Sequence, residues 1–259
     1  MAIGIIGGTG VYDPKLMTNV VKKKIHTPYG ATSDLVTIGK FKGKKVVFIP
    51  RHGSNHEYPP HQVNYRANIW AMQKLGVTRI LAPGAVGSLK KEIKPGDFVF
   101  SDQFIDRTYG RGHTFYEQGQ ICHISVAEPF CPELRQLLVS AASRLKVSFH
   151  EKGICIVING PRFSTKAESH LYRSWDADII NMTMCPEVVL AREAEICYAN
   201  IAMVTDYDCW YEHHVTSDEV VETMKQNIEK VKRLLTEIIP LISEERKCAC
   251  KDALQGALL

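Results

Sequence analysis

Seven runs of strand length, rich in Val and Ile and bounded by Gly, Pro or Asp, alternate along this chain with stretches of helical periodicity. The runs are 3–6, 45–50, 78–82, 97–105, 153–158, 177–181 and 196–205. Strands buried on both faces read as continuous apolar segments, and interleaving them with helices builds an α/β fold around a largely buried sheet. Between them, Ile69, Met72 and Leu75 fall at helical spacing within 64–75, which stops at Gly76. Leu134, Leu137, Leu138 and Leu145 share one face of 132–145. Thr216-Ser217-Asp218-Glu219 reads as a capping box opening a long amphipathic helix to about Ile238, with Val220, Met224, Ile228, Val231 and Leu235 as its apolar stripe.

With 259 residues, 45% of them hydrophobic and 23% charged, the chain is long enough for one domain with a full core. Neither repeat nor linker divides it, so 1–240 reads as the domain and 241–259 as a tail carrying Cys248-Ala249-Cys250. The net charge of +4 is the small difference between 32 basic and 28 acidic residues scattered along the sequence. That pattern is a solvated surface rather than an arm for nucleic acid. No stretch of 18 apolar residues and no basic-then-apolar leader is present, so the expectation is a cytoplasmic protein with no membrane partner.

The strand ends carry the chemistry. Gly7-Gly8-Thr9-Gly10 offers backbone N–H groups and a hydroxyl to an anion, and reads equally as a tight turn without ligand. It lacks the spacing of a dinucleotide or P-loop motif, which disfavours a nicotinamide oxidoreductase. Arg51-His52-Gly53 closes the second run, where an Arg fork matches phosphate oxygens. Arg-His-Gly after a strand is also the phosphohistidine pattern, but that pattern belongs on an opening strand, and a glycine loop precedes it here. His52, His56 and His61 lack the acidic residue that would complete a recognised metal-ligand spacing.

Gly84-Ala85-Val86-Gly87-Ser88 is a further turn with backbone donors. In Gly160-Pro161-Arg162-Phe163-Ser164 the aromatic can stack on a flat base and the hydroxyl can bond its edge, although a buried core Phe would read the same way. Asn181-Met182-Thr183 and Thr205-Asp206-Tyr207-Asp208 each follow an apolar run. Two carboxylates at i and i+2 point into one cleft, where burial and mutual repulsion raise a pKa far enough for one of them to give up a proton.

Together, GIIGGTG, RHG, VNYRANIWA, AVGSL, PGDFVFSDQFIDRT, CHISVAEPFCPELR, GPRFSTKAES, INMTMCPEVVLARE and CYANIAMVTDYDCW resemble the purine nucleoside phosphorylase superfamily and, within it, the 5'-methylthioadenosine phosphorylases. The resemblance covers roughly the first 240 residues and implies one α/β domain around a mixed, partly barrel-like sheet flanked by helices. It implies phosphorolysis through an oxocarbenium-like sugar, with inorganic phosphate as co-substrate and neither a metal nor an organic cofactor. Phosphate would meet Thr9, Arg51, His52, Gly84, Ala85 and Thr183. Met182 would lie against the ribose, and the base would stack on Phe163 and be read by Ser164, Asp206 and Asp208, with Asp206 donating toward the purine N7. It further implies a homo-oligomer, a trimer or dimer of trimers, in which His123 helps to close the 5'-end of a neighbour's pocket.

Relatives that favour 6-oxopurines carry Glu where Ser164 stands and Asn where Asp206 stands, so both positions are here of the 6-amino type. The expected reaction is therefore cleavage of S-methyl-5'-thioadenosine. Two departures keep a broad purine nucleoside phosphorylase, acting on adenosine, inosine and guanosine, as the alternative. Gly84 stands where these enzymes often carry a phosphate-binding Thr, and Ser217 falls near a position that is usually apolar in the 5'-methylthio pocket.

Eight cysteines are many for a reducing compartment. Cys248 and Cys250 read either as two plain thiols or as a strained, reducible couple. By resemblance to thermophilic archaeal relatives, Cys131 and Cys197 are the expected bridged pair.

Overall fold

Ile3, Ile5 and Ile6 bury the first strand, β1 (Ala2–Gly7), on both faces, and its alternate residues serve two different cores. The computed structural model describes residues 1–8, 10–11, 17–211 and 217–259, the last segment by backbone alone at 217–220. The other strands are β2 (Thr18–Lys23), β3 (Val36–Phe41), β4 (Lys44–Pro50), β5 (Val77–Ser88), β6 (Phe98–Val99), β7 (Gln103–Arg107), β8 (Phe149–His150), β9 (Ile154–Ile158), β10 (Ile179–Asn181) and β11 (Cys197–Asp206). The helices are α1 (Tyr65–Lys74), α2 (Pro132–Leu145), α3 (Lys166–Ser174), α4 (Met184–Glu193) and α5 (Ser217–Ile238).

This is the expected α/β architecture, a mixed sheet flanked by helices. Ile6 packs in one core with residues of α1 and α4, while Ile3 and Ile5 pack in a second with α2 and α5. Each such Ile, removed from water, contributes about 1.5–3 kcal/mol. Among the described residues, no helix is long and apolar enough to cross a membrane.

The strand order is β2-β3-β4-β1-β5-β10-β9-β7, with β11 joining β5 and then β6 and β8. One edge of β5 is paired with parallel β11 from Arg79 to Gly87. Its other edge carries parallel β1 as far as Leu81 and antiparallel β10 only at Gly87 and Ser88. Between those two partners the edge is bridged by side chains instead: Arg51 Nη1 donates to the Pro83 carbonyl at 3.1 Å, and Asn181 Nδ2 to the Ala85 carbonyl at 3.1 Å. A change of partner along one strand opens a crevice at its carboxyl end, where ligands of α/β sheets bind.

Several elements differ from the sequence reading. The expected run 97–105 is two strands, β6 and β7, separated at Phe100–Asp102. β2 is exposed along its whole length and therefore shows no apolar run. α3 carries its signal in a capping box, Thr165 with Glu168, rather than in an apolar stripe. α4 is buried on nearly every side and broken at Cys185, which hides its helical period. α5 begins at Ser217, and the Thr216 of the expected capping box lies outside the described residues.

The tail is packed rather than loose. Ile242, Cys248, Cys250 and Ala257 are buried, and Arg79 Nη2 donates to the carbonyls of Ser243 and Glu245 at 3.2 and 2.9 Å. All eight cysteines are free thiols, so the expected Cys131–Cys197 bridge is not formed. Both residues nevertheless meet, with Cys248 and Cys250, in one buried group; Cys248 Sγ stands 3.7 Å from Cys131 Sγ and 3.4 Å from Cys197 Sγ. A disulfide needs about 2.0 Å.

Candidate active site

The crevice beside β5 is a cleft of about 490 Å³ lined by the ends of β1, β4, β5, β9, β10 and β11 and by one face of α5. Arg51, His52, Gly84, Ala85, Phe163, Ser164, Met182, Thr183, Asp206 and Asp208 all line it, so ten of the residues selected from the sequence are brought together.

At the inner end, Arg51 follows β4, and its backbone N–H is pinned to the Gly7 carbonyl at 2.9 Å. Its Nε and Nη2 donate to Glu187 at 2.7 and 2.8 Å, Nη2 also donates to the Ile6 carbonyl at 2.9 Å, and Nη1 donates to Pro83. Four of its five N–H bonds are thus committed, and one on Nη1 is left for the cleft. Burial opposes the charge, but Glu187 more than offsets this and holds the guanidinium pKa above its ordinary value. An ideal Cβ on Gly84 would sit 3.8 Å from Nη1 and 3.7 Å from Asn181 Nδ2, so the bare backbone there exposes both groups to a ligand. Asn181 Oδ1 accepts from the backbone N–H of Thr183 and of Met184, each at 2.7 Å, and so fixes the turn that presents Thr183.

His52 plays a different electrostatic part from the one its position suggests. Burial, reinforced by Arg51 and His56, lowers its pKa to about 4 despite the bond to the Tyr58 carbonyl, so the ring is neutral at neutral pH. With Nδ1 donating to that carbonyl at 2.8 Å, Nε2 is an acceptor, suited to a protonated phosphate oxygen. The neighbouring His56 ring is stacked on it at 4.6 Å. Gly53, at φ +80°, allows the turn, since a side chain there would strike Glu57.

At the opposite end, Asp206 closes β11. Its Oδ2 accepts from the Thr205 hydroxyl at 2.7 Å and its Oδ1 from the Asp208 N–H at 2.8 Å. Gly87 makes room for it, because a Cβ there would lie 2.9 Å from Oδ1. Asp208 has left the strand for a short 3-10 turn at φ +47°. Burial raises its pKa, partly offset by hydrogen bonds from Ser169 and Cys209. Ser164 Oγ is buried and bonded to nothing among the described residues, an orphan hydroxyl in a ligand cleft. Phe163 is 48% exposed, so its ring is a cleft wall rather than a core residue.

The outer wall comes from α5 through Val221, Met224, Lys225 and Ile228, so Met224 and Ile228 of the expected core stripe face the cleft. Thr9 lies outside the described residues, although its neighbour Gly8 lines the cleft. The Ser217 side chain lies outside the described residues. His123 is described but does not line the cleft: it is exposed, and its N–H is held by the Ala257 carbonyl at 2.8 Å.

Sequence reasoning missed Glu187, Asn181, Thr205 and the α5 wall. It also missed Arg111, whose guanidinium donates to the carbonyls of Asn159, Met182 and Cys185 and so ties the segment after β9 to the turn after β10 and the start of α4. A buried charged residue on an apolar helix was the available signal for Glu187, in the run PEVVLARE.

Residues 2–240 match the family model described as the phosphorylase superfamily. The chain is 59% identical to the S-methyl-5'-thioadenosine phosphorylase of Thermofilum pendens over 99% of its length and 98% of that relative. It is 57% identical to the enzyme of the same name from Pyrococcus abyssi, over 98% of this chain and 97% of the other. Among solved structures, methylthioadenosine phosphorylase from Schistosoma mansoni in complex with adenine superposes with a TM-score of 0.94 at 41% identity, covering 99% of this chain and 98% of that one. A mutant of the same organism's enzyme, there named adenosine/methylthioadenosine phosphorylase, superposes with a TM-score of 0.94 at 40% identity, covering 100% and 99%.

Proposed function

Because the chain belongs to the phosphorylase superfamily, we propose that this cleft is where inorganic phosphate attacks S-methyl-5'-thioadenosine, releasing adenine and 5-methylthioribose 1-phosphate. One observation carries the reading: a buried, clamped arginine with one N–H to spare ends the cleft on one side, and a carboxylate with an orphan hydroxyl ends it on the other.

Phosphate accepts from Arg51 Nη1, the Thr183 hydroxyl and the backbone at Gly84 and Ala85, and gives its own proton toward His52 Nε2. Its charge then faces the cation that develops on the sugar as the glycosidic bond breaks, while Met182 lies against the ribose. Adenine stacks on Phe163. Asp206, protonated in the complex, donates toward N7, and Ser164 and Asp208 hold the base edge. Each well-aimed donor is worth about 3 kcal/mol in the transition state. Phosphate is the co-substrate, and the chemistry asks for no organic cofactor.

Val221, Met224 and Ile228 give the 5'-end an apolar wall that suits a methylthio group. Lys225 on the same wall favours a second substrate, adenosine, whose 5'-hydroxyl it can meet. Exposed Ile121, Leu258 and Leu259 flank His123, which supports a homo-oligomer, a trimer or dimer of trimers, in which His123 of a neighbouring subunit closes the pocket. The reading places the enzyme in the cytoplasm.

Initial rates with and without phosphate, for methylthioadenosine, adenosine, inosine and guanosine, test the proposal. The expected order of kcat/KM is methylthioadenosine first, adenosine second, the 6-oxopurines last, with no turnover when phosphate is omitted. Equal values across the set would make this a broad purine nucleoside phosphorylase, and turnover independent of phosphate would overturn phosphorolysis.

A further inference from the structure

Four of the eight cysteines meet at one point, away from the catalytic cleft. Cys131 sits at the N-cap of α2, Cys197 opens β11, and Cys248 and Cys250 flank the start of the tail's 3-10 turn. All four are buried, and their Sγ atoms lie within 4.8 Å of one another. We propose that Cys131, Cys197, Cys248 and Cys250 form a tetrathiolate site for a soft divalent ion of the zinc class, which pins the C-terminal tail to the core.

The spacing favours coordination over pairing. A zinc–sulfur bond of about 2.3 Å sets the edges of a tetrahedron at about 3.8 Å. The distances from Cys248 Sγ to Cys131 and Cys197, 3.7 and 3.4 Å, lie near that edge. Three separate parts of the chain supply the ligands, so an ion closes two long loops at once. Cys248 and Cys250 are closer in sequence than the usual two-to-four-residue spacer, yet the extended backbone of Cys248 (φ −78°, ψ 155°) entering the turn delivers both sulfurs to the same side.

The surroundings suit a site with net negative charge. On binding, four S–H bonds break, four metal–sulfur bonds form and four protons pass to solvent, leaving a complex of charge −2 with no change of oxidation state. Arg79 is the register partner of Cys197 on adjacent β5, is almost wholly buried, and has one nitrogen, Nη1, with no acceptor among the described residues. Cys131 is the N-cap residue of α2, whose first turn has no side-chain cap, so the positive end of that helix adjoins the cluster.

The tail secured in this way holds a further segment. The Ala257 carbonyl accepts from the His123 N–H, Cys122 bridges to Leu258, and the Leu259 N–H donates to the Ile121 carbonyl. An ion at the cluster therefore steadies the stretch 121–123 as well as the tail.

The test is metal analysis of the full chain, produced with zinc in the medium and purified anaerobically without chelator. The expected result is about one zinc per chain that survives dialysis and is released as a mercurial titrates the thiols. The double variant Cys248→Ser/Cys250→Ser should lose the metal and melt at a lower temperature, while Cys155→Ser, outside the cluster, should keep it. Should the double variant not fold, cobalt reconstitution of the wild-type chain supplies the answer: intense sulfur-to-cobalt charge transfer in the near ultraviolet with tetrahedral visible bands supports the site. Metal-free protein with all thiols titratable, or with two disulfides among these four residues, would overturn it.

Discussion

The carboxylate of Glu187 grips the guanidinium of Arg51 through both oxygens, at 2.7 Å from Nε and 2.8 Å from Nη2, with both side chains buried. Tyr198 donates its hydroxyl to the same carboxylate at 2.8 Å, so the pair is anchored from behind. Glu187→Gln puts an amide donor against a guanidinium donor inside the core, and breaking a buried pair costs about 3–5 kcal/mol. The expected outcome is a lower melting temperature together with a KM for phosphate raised about tenfold, about 1.4 kcal/mol, and little change in the KM for nucleoside. Steady-state kinetics with phosphate varied, beside a thermal melt, separate the two effects. A lower melting temperature with an unchanged phosphate KM would leave Glu187 a packing residue only.

The carboxylate of Asp206, proposed to meet the base, is held in position by the Thr205 hydroxyl and the Asp208 N–H. Asp206→Asn keeps the shape but removes the proton donor of the proposed chemistry and turns one face of the side chain into an amide donor. Turnover of adenine nucleosides should fall by at least about tenfold, with relative preference moving toward inosine and guanosine. Rates for the four nucleosides with this variant decide the point, and an unchanged profile would remove Asp206 from catalysis.

The site was legible where a strand end carries its own chemistry. Arg51, Thr183, Asp206 and Asp208 each close an apolar run, and the fold brings such ends to one crevice. Glu187 and Arg111 were not legible, because their roles arise from partners 136 residues away in the first case and 48 to 74 in the second. The same limit applies to α5, whose stripe predicts a buried face but not that Met224 and Ile228 would also line the cleft. β2 and α3 escaped because one is exposed and the other is defined by a cap rather than a period. His52 lines the cleft, but its charge state depends on burial and on Arg51 and His56, which no spacing encodes.

Gly84 stands on β5 without a positive φ, and the space above it is bounded only by Asn181 and Arg51 nitrogens at ordinary contact distance. Gly84→Thr therefore fits the strand and sets a hydroxyl beside both donors, where phosphate is proposed to bind. One added hydrogen bond of about 1 kcal/mol should lower the KM for phosphate about fivefold with stability preserved. A raised KM would show instead that phosphate itself occupies the space over Gly84.

His52 also ties folding to pH. Its folded pKa is about 4, against about 6.5 when unfolded, so the unfolded chain takes up the proton first as pH falls. Its contribution to stability is complete above pH about 6.5 and is lost progressively as pH falls through about 4. Asp208 acts in the opposite sense, because a carboxyl whose pKa is raised by burial favours the folded state as it gains its proton. The comparison that isolates His52 is His52→Asn, which can keep a donor to the Tyr58 carbonyl at this position while removing the titration. Melting temperatures measured from pH 7 to pH 4 should fall less steeply for the variant than for the wild type. Parallel curves would mean that the unfolded chain gains no proton advantage at residue 52, and the ring would then take up its proton in the folded cleft over the same pH range as in the unfolded chain.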